Sequence, residues 1–122
     1  MFGTAMAKLH EDPALIEAIR VLAIEESPLW EVSQEVASHS PGLGEPDRHA
    51  AAVQAVSQLL SQGLIELVWT RWTATDAVWR VASADEIEAI LNSPQYWHEA
   101  TRYEDHVEIH AAGAIPSSPV AR

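Results

Sequence analysis

The sequence predicts an α+β, mainly helical domain, with a helical body carrying a β-hairpin, an added short helix and a C-terminal edge strand. Three observations predict it. Apolar residues recur at helical spacing in three segments between Leu15 and Leu60, separated by breaker clusters. The run "LIELVWTRWTATDAVWRV", Leu64 to Val81, is rich in β-branched and aromatic residues around a small polar turn. Ser83 followed by Glu86 marks the start of one more helix.

Taken in order, Met1 to Asp12 read as a flexible leader, and Pro13 suits the first turn of a helix, where its missing N–H is not needed. Leu15, Ile16, Ile19, Leu22 and Ala23 then form one stripe, with Glu17 and Arg20 outside it. In "ESPLWEVSQEVAS" Ser27 is placed to cap a second helix and Pro28 to open it, with Leu29, Val32 and Val36 on one face. After "HSPGLGEP", a third helix predicts Val53, Val56, Leu59 and Leu60 inward, Gly63 as its stop, and Leu64 folding back onto Leu59.

A hairpin tip at Ala74 and Thr75 sets Trp72 against Ala77, Thr70 against Trp79 and Trp69 against Arg80. One face then holds Ile65, Leu67, Trp69 and Val78, and the other Val68, Trp72, Trp79 and Val81. Both faces are largely apolar, so something is expected to cover the second. In "SADEIEAILNSP" Ile87, Ile90 and Leu91 face inward before Pro94 ends the run. "HVEIHAAG" alternates like an edge strand with Val107 and Ile109 inward, and "AIPSSPVAR" reads as a flexible tail. The domain itself is expected to span 13–113.

The 122 residues suit one domain. No apolar run reaches membrane-span length, and "MFGTAMAKLHEDP" lacks the pattern of a signal peptide, so a cytoplasmic protein is the expectation. The chain has no cysteine, which removes disulfides, thiol nucleophiles and zinc–thiolate sites. Its net charge is −11. The acid is spread along the chain: Met1 to Ser61 holds three basic and nine acidic residues, and Gln62 to Arg122 four and nine. A duplex ligand requires phosphate neutralisation by Lys and Arg, so this charge disfavours DNA.

Helix, helix, breaker, longer helix and hairpin is the order of a winged helix-turn-helix domain. The chain resembles that superfamily over Pro13 to Val81, above all at the junction "AVSQLLSQGLIELVW". It is also similar to a group of short, functionally unassigned bacterial proteins in which such a core is followed by an inserted helix, a Trp-containing loop and a last strand, here ending in "IHAAG". The resemblance implies a winged-helix-like core, with Asp47 to Gln62 as recognition helix and Thr70 to Ala77 as wing. In a dimeric DNA-binding regulator, Arg48, Gln54, Gln58 and Arg71 would make the contacts, since Gln reads adenine and Arg guanine. Few positive charges accompany them, whereas Glu25, Glu26, Glu31 and Glu35 lie on the first two helices and the turn between them. That departs from the DNA-binding pattern.

Candidate chemistry is sparse. His106, Glu108 and His110 project to one side of a strand, bringing two imidazoles and a carboxylate together, and His98 or Glu104 could supply a further ligand. The simpler expectation is the solvent side of an edge strand. "WHEATR" lacks the second histidine of a metalloprotease helix, "GLG" is too short to cradle phosphate, and no serine stands in a nucleophile elbow. The expectation is therefore a non-enzymatic protein with no cofactor. Five tryptophans exceed what one small core readily absorbs. Trp69, Arg71, Trp72, Trp79 and Trp97 are accordingly the candidate contacts to a protein partner or a second copy, because Trp and Arg anchor interfaces.

Overall fold

The computed structural model describes residues 11–75, 77–99 and 104–113. The leader and tail expectations for 1–10 and 114–122 lie outside these residues. The architecture is α+β and mainly helical. Three helices, α1 (Pro13–Ile24), α2 (Trp30–His39) and α3 (Glu45–Ser61), lead into the hairpin β1 (Ile65–Trp72) and β2 (Ala77–Val81). Then come α4 (Ala84–Leu91), a 3-10 turn (Pro94–Trp97) and β3 (His106–Ala111). Among the described residues, no helix is long and apolar enough to cross a membrane.

Local chemistry fixes most boundaries. The Asp12 side chain caps α1 by accepting from the Ala14 amide at 3.0 Å, with Pro13 directly behind it. At the end of α3 the Leu64 amide bonds to Leu59 O and the Gly63 amide to Leu60 O, both at 3.0 Å, while Gly63 takes φ 70°. This is the Schellman ending the sequence predicts, and it aims the chain straight into β1. Ser83 and Glu86 form the expected capping box on α4.

The sheet order is β2-β1-β3, antiparallel throughout. The hairpin register matches the predicted one, with Trp72 opposite Ala77, Thr70 opposite Trp79 and Trp69 opposite Arg80. On the other side of β1, Thr70 pairs with His106, Val68 with Glu108 and Glu66 with His110. Residues opposed across an antiparallel pair share a face. The inner face therefore carries Ile65, Leu67, Val107 and Ile109, all buried in one core with Leu15, Ile19, Val32 and Leu59 from the three helices. The outer face carries Val68, Thr70, Trp72 and the polar side chains of β3.

Two sequence expectations need correction here. Ser27 and Pro28 do not start α2, which begins at Trp30 with Leu29 as an uncapped N-cap. Instead the connector runs beside β3: Ile109 N–H donates to Ser27 O at 2.9 Å, Leu29 N–H donates to Val107 O at 2.8 Å, and Pro28 opposes Glu108. Main-chain pairing outcompetes the cap because it satisfies otherwise orphaned groups of β3. In α3 the buried set is Ala51, Ala52, Ala55, Val56 and Leu59, with Val53 and Leu60 only partly covered. Ala51 and Ala55, absent from the expected inward set, thus line the core, where a small side chain permits close helix approach.

Candidate functional site

β3 was expected to turn His106, Glu108 and His110 toward solvent. All three are buried, at 4%, 3% and 4% exposure. They form a linear cluster on the outer face. His106 Nε2 lies 2.9 Å from Glu108 Oε2, and His110 Nε2 lies 3.0 Å from Glu108 Oε1. The Trp72 indole N–H donates to Glu108 Oε2 at 3.3 Å. Trp30 sets its ring 5.7 Å from that of His106. Burial pushes the Glu108 carboxyl up, but the hydrogen bonds from His106, His110 and Trp72 outweigh it and hold the group down to about 2. Glu108 is therefore an ionised carboxylate with three donors. Both Nε2 atoms aim at Glu108 and not at a common point beyond it, and no metal-ready group of three such side chains occurs among the described residues.

The predicted interface residues divide. Trp72, at 40% exposure, and Val81, at 38%, leave large apolar surface open on the outer face, and Trp79 is half-buried beside them on β2. Among the described residues no strand pairs with the outer edge of β2. Trp69 lies on the inner face and packs edge-on against Tyr96, with ring centroids 5.2 Å apart. Trp97 does not belong in the set: it is 3% exposed, and its indole donates to Ile90 O at 3.0 Å, which seals the 3-10 turn onto α4. Arg71 is exposed and lies 3.6 Å from Asp105. Arg80 grips Glu86 through two bonds of 2.7 and 2.8 Å, and Arg80, followed by the Ser83 amide, draws the Glu86 carboxyl down to about 2.

Of the residues proposed for DNA contact, Arg71 belongs to β1 of the hairpin, whereas Arg48, Gln54 and Gln58 lie on α3. Gln54 and Gln58 are exposed one turn apart on α3, and Arg48 is half-buried. The first turn of α3 carries Glu45 and Asp47. Beside it lies a cleft of about 490 Å³ whose walls include Trp30, Gln34, Glu45, Arg48, His49 and His98. His49 packs edge-on against Trp97 at 5.3 Å. Burial, then His98, push the His49 imidazole below its ordinary value against the upward pull of Glu45. The 94–99 segment thus stands against the N-terminal end of the helix that a winged domain would lay in the major groove.

These features define an α+β domain with a polar cluster buried beneath an indole on one sheet face. No protein-family model, curated protein or solved structure matches the chain. Sequence reasoning located the β3 triplet but missed its burial. The available signal was the second apolar hairpin face, which required a covered neighbour on the same side.

Proposed function

We propose that the chain is a non-enzymatic, winged-helix-like protein-interaction module with a regulatory, adaptor or immunity-type role, which contacts protein through the outer face of its hairpin. The observation that carries this reading is the exposure of Trp72 and Val81 on one face of the hairpin, whose β2 strand leaves its outer edge open among the described residues. An aromatic anchor next to unpaired strand edge suits a polypeptide partner, since backbone pairing supplies affinity and side chains supply selection. Support also comes from the opposite region. With Glu45 and Asp47 at its first turn and His49 packed on Trp97, α3 offers little to a phosphate backbone.

The alternative, a dimeric DNA-binding regulator, draws on exposed Gln54 and Gln58. A mobility-shift titration with duplex DNA at low salt separates the two. The interaction reading expects no retained duplex, and salt-sensitive retention reduced by Gln54→Ala would replace it with the DNA reading. Sedimentation of the pure chain, wild type against Val81→Glu, then tells self-association from a heterologous partner. A wild-type dimer that becomes monomeric in the variant assigns the face to a second copy.

A further inference from the structure

Arg20, Arg71 and Arg80 each stand against a carboxylate: Glu17 at 3.8 Å, Asp105 at 3.6 Å and Glu86 at 2.7 Å. Arg48 is different. It is half-buried near the start of α3, and among the described residues its guanidinium has no ion-pair partner. Glu45 precedes it by three positions, the spacing at which Glu17 and Arg20 do pair on α1. Here the two side chains stay apart, and both line the cleft between α2, the start of α3 and the 94–99 segment. A guanidinium carries five donors and no acceptor, so an anion placed in this cleft meets a need that the chain itself leaves open.

The rest of the cleft suits an apolar body. Trp30, Trp97, Pro46 and Pro94 contribute to its walls. Both tryptophans are held from behind, Trp97 through its indole N–H to Ile90 O at 3.0 Å, and Trp30 against the His106 ring at 5.7 Å. The walls are therefore preformed, and about 490 Å³ falls within the roughly 300–1,000 Å³ of small-molecule sites. His49 packs edge-on against Trp97, and burial favours its neutral form. Besides the imidazoles of His49 and His98, the ionisable side chains lining the cleft are Arg48, Glu45 and Glu99.

That mixture selects the ligand. A plain anion would satisfy Arg48 but face two carboxylates, and a plain cation would leave the guanidinium unmatched. A small molecule that carries both charges beside a flat ring uses every part of the wall, because aromatic groups pack well face-offset or edge-on.

We propose that this cleft binds a free aromatic α-amino acid, its carboxylate on Arg48, its ammonium on Glu45 and its ring against Trp30 and Trp97. Residues three apart on a helix have Cβ atoms about 5–6 Å from one another, so these two long side chains can grip the adjacent ends of one zwitterion. The site shares no residue with the Trp72–Val81 surface, and the interaction reading stands or falls without it.

Proton–nitrogen NMR of the full chain, titrated with L-phenylalanine, reads the site directly. Saturable shifts are expected at the Arg48 and His49 amides and at the Trp97 indole, with the Trp72 indole unmoved. Phenylpropionate lacks the ammonium and phenethylamine lacks the carboxylate. Each is expected to bind about tenfold more weakly or worse, having lost one hydrogen-bonded contact between charges. Arg48→Gln should weaken phenylalanine by about tenfold and leave phenethylamine unchanged, whereas Glu45→Gln should weaken phenylalanine and spare phenylpropionate. Unaltered β1 and β3 amide signals certify the fold of each variant, and Glu45→Gln, at an exposed position, carries the test if Arg48→Gln does not fold. The proposal is overturned by no saturable shift up to the solubility limit of phenylalanine, or by shifts centred on Trp72. Equal binding of all three probes, or a folded variant that binds phenylalanine as the wild type does, overturns it as well.

Discussion

The two faces of the sheet share the same three strands yet are held by different physics. On the inner face Val107 and Ile109 meet Leu15, Ile19 and Leu67, and each gains from leaving water without needing a particular partner. On the outer face the alternating residues of the same strand, His106, Glu108 and His110, lose hydration on burial and recover polar contacts through one another, Trp72 and the Glu104 carbonyl. The inner face thus tolerates changes of shape, whereas the outer face depends on a complete set. Removing one member leaves the others buried with unmet requirements.

The largest break in this comparison is Glu108→Ala. It strands two imidazoles and an indole, and we expect a loss of about 3–5 kcal/mol in urea unfolding, the range for breaking a buried ion pair. Acid tests the same group without mutation. The unfolded carboxyl takes up its proton near the ordinary 4.5, while the folded one resists to about 2. Protons therefore favour the unfolded chain between these values, and the contribution of Glu108, fully present above 4.5, is expected to disappear as pH falls toward 2. Melting temperature followed across this range checks it, and Glu108→Gln should flatten that limb.

Ile109→Val, one residue along, removes a single methylene from the inner face and is expected to lower stability by about 1 kcal/mol, with no change in the acid limb. Trp72→Phe sharpens the outer face most finely. It keeps an aromatic ring but deletes one of three donors to Glu108, and the indole is part-exposed, so a loss of up to about 1 kcal/mol is expected. Its clearer signature is a Glu108 carboxyl that titrates above its present position near 2, read by carbon NMR of the side chain.

The legible parts of the sequence were those governed by local rules. Gly63 in its left-handed turn, the Ser83–Glu86 box and the small polar hairpin tip each determine a geometry within a few residues, and the register of β1 with β2 follows from the tip. What could not be read was set by distant partners. The pattern His-Val-Glu-Ile-His is the same for a half-wet edge strand and for a strand with a satisfied polar layer, and only the connector carrying Glu26, Pro28 and Trp30 distinguishes them. The inward placement of Ala51 and Ala55 depended on how closely α3 approaches its neighbours. Trp97 resembled a loop anchor until Ile90 O claimed its indole N–H. The candidate site was thus named by residue but not by environment.

The position of β3 bears on how the molecule assembles. It slides between the Ser27–Leu29 connector and β1, bonding to both, and for the connector contact segments separated by most of the described chain must meet. The helices and the hairpin are local events that form quickly, while insertion of this strand waits on a long loop closure. Its arrival completes the sheet and shuts the histidines in with the same stroke.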